Sequence, residues 1–391
     1  MCFVLCMCLS SISFAQIEEK TDTALLNTAV AFFDSGDYDQ ALEILQSLNK
    51  RHPNDYNIMY ETALCYYQTQ KFSKALSLFK KLKKSYPTSL VYAMYGNCLD
   101  DAGKTKQALE IYDEGIKKFP NVGRLHLEKG MIYYRAKDYD NAYSSFGAGV
   151  DAEPRFSSNY FRLSQLLCGS NRASFGMICG EVFSLLSPGS ERAEHVSAWI
   201  CEAYRSNVKL QGDSVKALLS NNFIFNSLSP NAMAEMSQML SEMFFLTSYS
   251  LAAKDCYEPL KDKGKMSLAD LVDFRKRILD NKVSKSNKKG DDVLNETVDV
   301  DSLSEDECEF VDTESSSTDE TKHKSMRSCL YDCLLKYQKE VFDAGHWEAY
   351  NMWLFRMGDI DEFNKWNDED PAKFREFADW FNSHPFSLET E

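Results

Sequence analysis

The side chains that most often bind metals are few and dispersed in this sequence. Cys329 and Cys333 lie four residues apart, which places them on one face of a helix, and His346 follows nearby. A structural zinc site needs four ligands, usually in closely spaced pairs. We therefore expect no metal site at these residues. The six histidines are far apart in the sequence: His52, His126, His195, His323, His346 and His384.

Motifs that signal an active site are also absent. The sequence has no phosphate-binding glycine loop, no nucleophile elbow, no His-Glu-x-x-His zinc helix and no calcium-binding loop. Carboxylates are abundant, but no pair lies in an apolar segment that would separate their pKa values for acid-base catalysis. We therefore expect a non-enzymatic protein with no cofactor and no small-molecule substrate.

An internal repeat dominates the first half of the chain. An alanine, a large apolar residue four positions later and a proline twelve positions later recur together, with successive alanines 34, 33 and 34 residues apart. The four sets are Ala41, Leu45 and Pro53; Ala75, Phe79 and Pro87; Ala108, Tyr112 and Pro120; and Ala142, Phe146 and Pro154. A fifth, degenerate set keeps the offsets with Gly176, Gly180 and Pro188. A period of this length indicates a repeated supersecondary unit.

These sets resemble the tetratricopeptide repeat, a helix-turn-helix unit of about 34 residues. The resemblance covers units at 22–55, 56–88, 89–122 and 123–156 and a degenerate unit at 157–190. In each unit small residues let the two helices approach closely, and the proline ends the second helix because it cannot continue the hydrogen-bond ladder. One unit cannot bury its apolar faces alone. The resemblance therefore implies an all-α fold, in which stacked units form a superhelical solenoid with a concave groove.

The resemblance also implies where a partner binds, because the first helix of each unit lines the groove in tetratricopeptide arrays. The matching positions are Asn27, Phe33, Tyr60, Glu61, Tyr67, Asn97, Asp100, Asp101, Glu128, Tyr134, Arg135, Phe161, Arg162 and Gln165. Chaperone-binding members hold a partner's C-terminal carboxylate with Lys, Asn and Arg, whereas the central units here carry acids and tyrosines. We therefore expect a protein or peptide partner whose extended or helical segment presents apolar and basic side chains.

Beyond the repeats the chain changes character three times. Residues 191–282 are predicted to form a capping helix and additional helices. Residues 283–326 turn from basic to acidic with few apolar residues, which predicts a disordered linker; the alternative is a docking motif for a basic partner, centred on "ECEFVD". Residues 327–385 are rich in aromatic side chains and predict a helical module, which either forms a tethered domain or folds back on the 208–282 helices.

The formal net charge of -15 comes mainly from one segment, since residues 291–320 contain thirteen Asp and Glu and no Lys or Arg. The rest of the chain is close to neutral. Nucleic-acid binding needs clustered Lys and Arg along one face, so we expect no nucleic-acid partner.

Residues 1–15 are predicted to be a cleaved signal peptide. The segment is apolar from Cys2 to Phe14, and Ala15 precedes Gln16 as at a signal-peptidase site. The apolar stretch is too short to span a bilayer. We therefore expect an exported, periplasmic protein that does not span the membrane.

Taken together, these features indicate an interaction scaffold or adaptor. The chain resembles the non-enzymatic tetratricopeptide proteins of bacterial envelopes, which act as adaptors in assembling or regulating envelope complexes; this step rests on family analogy. Two alternatives stay open. One is an enzyme or sensor with its site in the C-terminal module, and the other is a cytosolic co-chaperone if residues 1–15 are not a signal peptide.

The export prediction concerns the first residue of the mature protein. N-terminal sequencing of the protein purified from the cells that produce it should begin near Gln16, because the peptidase is expected to cut after Ala15. A mature chain that still begins at Met1 would contradict export.

Overall fold

The described part of the chain is predominantly helical, as the repeat predicts. The structure is a computed structural model that describes residues 21–211, 214–218, 243, 245–253, 261, 264–286 and 326–388. They belong to two units, Met1–Glu153 and Pro154–Glu391. The predicted signal peptide at 1–15 and residues 287–325 of the predicted linker lie outside the described residues.

The first unit consists of helices that follow one another as helix-turn-helix pairs. They are α1 (21–34), α2 (Tyr38–Arg51), α3 (Tyr56–Gln68), α4 (Phe72–Ser85), α5 (Ser89–Asp101), α6 (Thr105–Lys118), α7 (Gly123–Arg135) and α8 (Tyr139–Ala152). From α2 onwards each helix packs against the next one in the unit. Ala29 of α1 is buried in one cluster with Ala41 and Leu45 of α2. The predicted all-α fold is confirmed.

Short polar side chains begin several of these helices. Asp37 accepts a hydrogen bond from the backbone amide of Gln40 at 3.2 Å. Asp55 accepts one from the amide of Ile58 at 3.0 Å, and the Thr88 hydroxyl caps α5 in the same way. These bonds satisfy amides that the first turn of a helix leaves without an intrahelical partner. The sequence therefore marks where these helices begin.

The turn inside each of the four pairs places one residue in the left-handed backbone region. The four residues occupy the same place in successive units: Gly36 (φ 83°), Gln70 (φ 55°), Gly103 (φ 75°) and Lys137 (φ 61°). Glycine adopts this conformation readily, whereas a residue with a Cβ atom loses about 1–2 kcal/mol. Two units therefore keep the turn without glycine, which means that helix packing outweighs the local strain.

Two glycines allow the close helix contacts that the repeat predicts. A Cβ atom on Gly96 would lie 2.3 Å from the ring of Tyr112, and one on Gly130 would lie 2.5 Å from the ring of Phe146. Both rings are completely buried. The first helix of these units therefore approaches the second across a flat aromatic ring, with no space for a side chain between them.

The second unit begins with a helix pair and continues with other elements. Its described elements are α9 (Ser157–Leu167), α10 (Ala173–Leu186), α11 (Glu191–Ser206), β1 (Val208–Gln211), β2 (Ser214–Ala217), α12 (245–253), α13 (Leu268–Ser286), α14 (Met326–Asp343), α15 (Trp347–Phe355), a 3-10 turn (Arg356–Gly358), α16 (Ile360–Glu369) and α17 (Pro371–Ser383). Helix α13 continues to Ser286, into the segment predicted as linker.

The prediction of a capping helix and additional helices over residues 191–282 did not include the two strands that follow α11. Strands β1 and β2 pair antiparallel, with Val208 opposite Ala217 and Leu210 opposite Val215. The sequence "VKLQGDSVKA" alternates apolar and polar residues on both sides of Gly-Asp, a dipeptide typical of two-residue hairpin turns. The alternation of apolar and polar residues therefore favours strands here, although the neighbouring segments are helical.

A buried ion pair holds the second unit together. Arg275 of α13 lies 2.5 Å from the Glu181 carboxylate of α10, and their side chains are only 3% and 4% exposed. The same carboxylate oxygen accepts hydrogen bonds from Gln338 of α14 at 2.9 Å and from Tyr350 of α15 at 2.5 Å. Arg275 also donates to the side chain of Asn351. Four helices therefore meet at one charge pair.

Aromatic rings surround the Arg275 guanidinium. Its central carbon lies 5.5 to 5.8 Å from the ring centroids of Tyr204, Trp347, Tyr350 and Phe355. Burial acts to lower the pKa of Arg275, but Glu181, Tyr204 and Tyr350 together have the larger, opposite effect, so the pKa is raised. The arginine therefore stays charged, and cation-π contacts replace part of its lost hydration.

The C-terminal module folds back on the earlier helices of this unit. Both oxygens of Glu362 in α16 accept backbone amides at the start of α13, from Leu268 at 2.8 Å and Ala269 at 3.1 Å. Arg205 of α11 donates to the carbonyl of Gly358 at 2.9 Å. Of the two arrangements that the sequence permits for residues 327–385, the structure has the folded-back one.

The Gly96 contact can be tested with a single methyl group. Gly96→Ala should lower the free energy of unfolding by about 1–3 kcal/mol, because the new Cβ atom overlaps the Tyr112 ring. This loss should appear even though alanine favours a helix by about 1 kcal/mol over glycine. Chemical denaturation followed by far-UV circular dichroism measures it. The exposed Ser73→Ala is the control, with an expected change within about 0.5 kcal/mol, and an equally stable Gly96→Ala would contradict the close contact.

The buried ion pair predicts a larger effect in the second unit. Arg275→Met should lower its free energy of unfolding by about 3–5 kcal/mol, because the charge on Glu181 would stay buried without a cation. Tryptophan fluorescence during denaturation reports on this unit alone, since all five tryptophans lie beyond residue 154. Arg375→Met removes an exposed arginine and should leave stability within about 0.5 kcal/mol of the wild type. Equal stability of the two variants would show that the pair does not hold the unit together.

Candidate functional site

The fourteen residues predicted to face a partner differ in how much surface they expose. Exposed are Asn27, Asp101 and Arg135; half-buried are Phe33, Glu61, Tyr67, Asn97, Asp100, Glu128, Tyr134, Arg162 and Gln165; buried are Tyr60 and Phe161. All of them lie on the first helices of their pairs: α1, α3, α5 and α7 in the first unit and α9 in the second.

Tyr60 belongs to the core and not to an accessible surface. Its side chain is 8% exposed, stacks on Tyr56 at 5.7 Å and meets the edge of Phe79 at 6.4 Å. Phe161 is 6% exposed. Both residues fill the space between helices, so the structure removes them as direct contacts for a partner.

Glu61, on α3, is a half-buried carboxylate with a raised pKa. Burial raises the pKa of its carboxyl group, and the negative charge of Asp34 raises it further. Within the described residues no ion pair and no hydrogen bond engages this carboxylate. The two acids therefore repel each other in a partly desolvated place, where a cation would be stabilised.

Neighbouring acids of the same face are held by specific partners. The Tyr67 hydroxyl donates a hydrogen bond to Asp101, and Asp100 pairs with Arg135. Asp100 also accepts a hydrogen bond from the Thr105 hydroxyl at 2.8 Å. These bonds fix the orientation of the Tyr67 ring and of the acids at the end of α5.

The centre of the face combines an amide, a tyrosine and another carboxylate. The buried Tyr112 hydroxyl donates to the side-chain oxygen of Asn97, and the Asn97 side chain donates to Glu128. Burial raises the pKa of Glu128, although Arg124, at 3.7 Å, and Arg135 act to lower it. Glu128 is thus a second carboxylate whose charge is incompletely compensated.

The acidic face is defined here as Asp34, Glu61, Asp100, Asp101 and Glu128. It has the polarity expected from the sequence: carboxylates dominate and tyrosines stand beside them. This arrangement can bind ammonium or guanidinium groups and offers no set of cations to a terminal carboxylate. Phe33, with its edge toward Tyr38 at 5.4 Å, and Tyr134, 6.0 Å from Tyr139, add half-buried aromatic surface.

The second unit brings other side chains together. Phe161 of α9 lies between two guanidinium groups, those of Arg162 and Arg192, each 5.2 Å from its ring centroid. Trp199 lies 5.4 Å from the same ring, and His195 stacks on Trp199 at 6.1 Å. The three α11 residues were not predicted. Their spacing of three and four residues places them on one helical face, which is the signal that could have indicated them.

The C-terminal module contains an open cleft of about 750 Å³. Its lining residues hold structural positions: Trp366 donates to Glu348 at 2.8 Å, Lys373 binds the other oxygen of Glu348 at 2.9 Å, and Glu362 caps α13.

The cysteine and histidine residues considered for a metal site are packed among other side chains. Cys329 and Cys333 are buried, and the ring of His346 lies 5.5 Å from that of Trp380. Among the residues that the structure describes, no group of three His, Cys, Asp or Glu is arranged to hold a metal ion. Across the same residues no helix is long and apolar enough to cross a membrane.

Known proteins similar to this chain share its repeat. Two models of the tetratricopeptide repeat family match it, one over residues 32–98 and the other over residues 96–154. No curated protein matches the chain.

Similar solved structures cover a little under half of the chain. A thermophilic tetratricopeptide protein from Thermus thermophilus is 19% identical, covers 46% of this chain and 98% of its own, and has a TM-score of 0.38. PilW, a type IV pilus biogenesis factor, is 15% identical and has a TM-score of 0.39. The match covers 47% of this chain and 86% of PilW. YrrB, a tetratricopeptide protein with an unusual peptide-binding site, is 17% identical and has a TM-score of 0.33. The match covers 46% of this chain and 95% of YrrB.

The family matches coincide with the helix-turn-helix pairs of the first unit. Within residues 32–154 the repeated alanines Ala41, Ala75, Ala108 and Ala142 are all completely buried, as a close helix contact requires. Residues 32–154 of the chain therefore consist of tetratricopeptide repeats.

Proposed function

We propose that this protein is a non-enzymatic adaptor of a bacterial envelope, whose acidic face binds an extended partner segment with basic and apolar side chains. Tetratricopeptide repeats support a protein-protein interaction scaffold in general, and the fold is typically a non-enzymatic module. The observation that carries the partner's chemistry is the half-buried Glu61 carboxylate beside Asp34.

A basic side chain would relieve an unfavourable interaction at Glu61. The carboxylate has lost part of its hydration and faces a like charge, and both effects raise its pKa. A Lys or Arg placed beside Glu61 and Asp34 supplies the missing opposite charge in a medium less polar than water, where the attraction is stronger. Binding of a basic side chain is therefore favourable because it compensates the negative charges of Glu61 and Asp34.

Tyrosines beside the carboxylates suit the apolar part of the partner. Tyr67 is held by Asp101, so its ring loses little conformational entropy when a partner packs on it. Phe33 and Tyr134 offer further half-buried rings. A segment with alternating basic and apolar side chains would thus find charge and ring contacts on successive first helices.

The envelope location is supported by the apolar segment at residues 1–15, which lies outside the described residues. The acidic face itself also bears on the cytosolic alternative. It lacks the Lys, Asn and Arg set with which chaperone-binding members hold a terminal carboxylate, so a co-chaperone of that kind is disfavoured.

The acidic face can be tested by reversing one charge. Glu61→Lys should weaken binding of a fluorescent peptide with alternating Lys and Leu by about tenfold or more, because it replaces attraction with repulsion at the partly buried position. Fluorescence anisotropy against the purified protein measures the dissociation constant. A peptide with Glu in place of Lys should not bind the wild type.

The matched control is Glu110→Lys, which makes the same charge change at an exposed position on α6, a second helix. It should change the affinity by no more than about twofold, the effect of a remote surface charge. Equal affinity of the Glu61→Lys variant and the wild type would place the binding surface elsewhere. Equal weakening by both variants would reduce the effect to net charge.

A further inference from the structure

The side chains gathered on α9 and α11 form a basic surface, in contrast to the acidic face of the first unit. The arginine-aromatic cluster is defined as Phe161, Arg162, Arg192, His195 and Trp199. Two guanidinium groups lie 5.2 Å from the centroid of the same Phe161 ring, and Trp199 packs beside that ring at 5.4 Å. A cation-π contact holds the Arg192 guanidinium beside the ring, while its N–H groups can still donate to a carboxylate.

The charge of Arg192 is not neutralised by its own helix. Its side chain is exposed, and among the described residues no ion pair engages it. Glu194, on the same helix, interacts with Arg356. Burial lowers the pKa of Arg356, and the negative charge of Glu194 acts to raise it. The neighbouring Arg162 is oriented by a hydrogen bond of 2.8 Å to the neutral Gln165 side chain. The cluster therefore presents the exposed Arg192 guanidinium beside aromatic rings, which suits a carboxylate next to an apolar side chain.

The chain itself contains a segment of that chemistry. The sequence "EDECEFVD", residues 305–312, has five carboxylates around Phe310, and it lies within the thirteen acids of residues 291–320. We propose that this acidic segment docks on the arginine-aromatic cluster of the same chain, with Arg192 as the charged group that receives it. This inference goes beyond the proposed function, because it concerns a second surface, in the second unit, and a different occupant.

The length of the connecting chain permits this contact. The segment lies between the end of α13 at Ser286 and the start of α14 at Met326, both in the second unit. About 19 residues on either side of Glu307 can extend over about 63 Å. A compact unit of about 240 residues has a radius of gyration of about 18 Å. Either connection therefore reaches across such a unit.

The chemistry of the contact follows from geometry and charge. A guanidinium held beside a ring can bind a carboxylate through two parallel N–H bonds, which are stronger than bonds between neutral groups. Phe310 supplies a ring that can pack against Trp199, since aromatic pairs prefer edge and offset contacts. Tethering in one chain raises the effective concentration of the segment to the millimolar range. Weak individual contacts are then enough to keep the cluster occupied.

The test uses the full chain with and without the charge of its own segment. In the neutralised chain the five acids carry the substitutions Glu305→Gln, Asp306→Asn, Glu307→Gln, Glu309→Gln and Asp312→Asn. The probe is a fluorescent peptide of residues 301–315 with Cys308→Ser. We expect the peptide to bind the neutralised chain and to bind the wild type at least about tenfold more weakly, because the tethered segment competes with it.

Two arginine variants of the neutralised chain locate the binding surface. Arg192→Glu should weaken binding of the peptide by about tenfold or more. Arg375→Glu, which makes the same charge change at an exposed position on α17, should change it by no more than about twofold. Circular dichroism and tryptophan fluorescence confirm that both variants are folded.

Four results would overturn the assignment. The first is that the peptide does not bind the neutralised chain. The second is equal affinity for the wild type and the neutralised chain, which would show that the tethered segment does not occupy the cluster. The third is equal weakening by Arg192→Glu and Arg375→Glu. The fourth is equally tight binding of an unrelated peptide of the same net charge, which would make the cluster a general anion-binding surface.

Discussion

The buried ion pair between Glu181 and Arg275 is the constraint on which the second unit depends. Each charge alone would be expensive to bury, and together they are satisfied only when Gln338, Tyr350 and Asn351 are also in place. Those five residues come from four helices. We infer that the pair selects one arrangement of these helices, because any other arrangement would leave a charge without its partners. The helices after residue 190 are therefore part of the same core as α10.

The two units differ in how far their sequences predict their structures. In the first unit the spacing of Ala41 and Pro53, the Asp37 cap and the turn at Gly36 are all local, so helix pairs could be predicted from short stretches. In the second unit the decisive contacts join residues far apart in sequence. Glu181 looks like any helical glutamate until Arg275 is placed beside it, and strands β1 and β2 are too short to stand out against helical neighbours.

The residues predicted to face a partner differ in how accessible the fold leaves them. By analogy with the family, Tyr60 was expected to line the groove. It packs against Phe79 and is buried, whereas the neighbouring Glu61 keeps accessible surface. Arg192, His195 and Trp199 were overlooked because their helix was interpreted only as a cap. The spacing of these three residues places them together on one face of that helix.

The sequence separation of the Arg275 contacts has a consequence for folding during synthesis. Its bonds reach 94 residues back to Glu181 and 76 residues forward to Asn351, whereas each of the helices α2 to α7 in the first unit packs against the helix that follows it. Local contacts form quickly and distant ones slowly, because a longer loop must close first. We expect the first unit to fold pair by pair as it leaves the ribosome. Arg275 gains its last partner only after residue 351 has emerged. If translation stops between residues 275 and 351, we therefore expect a chain whose first unit is folded and whose second unit has an incomplete core.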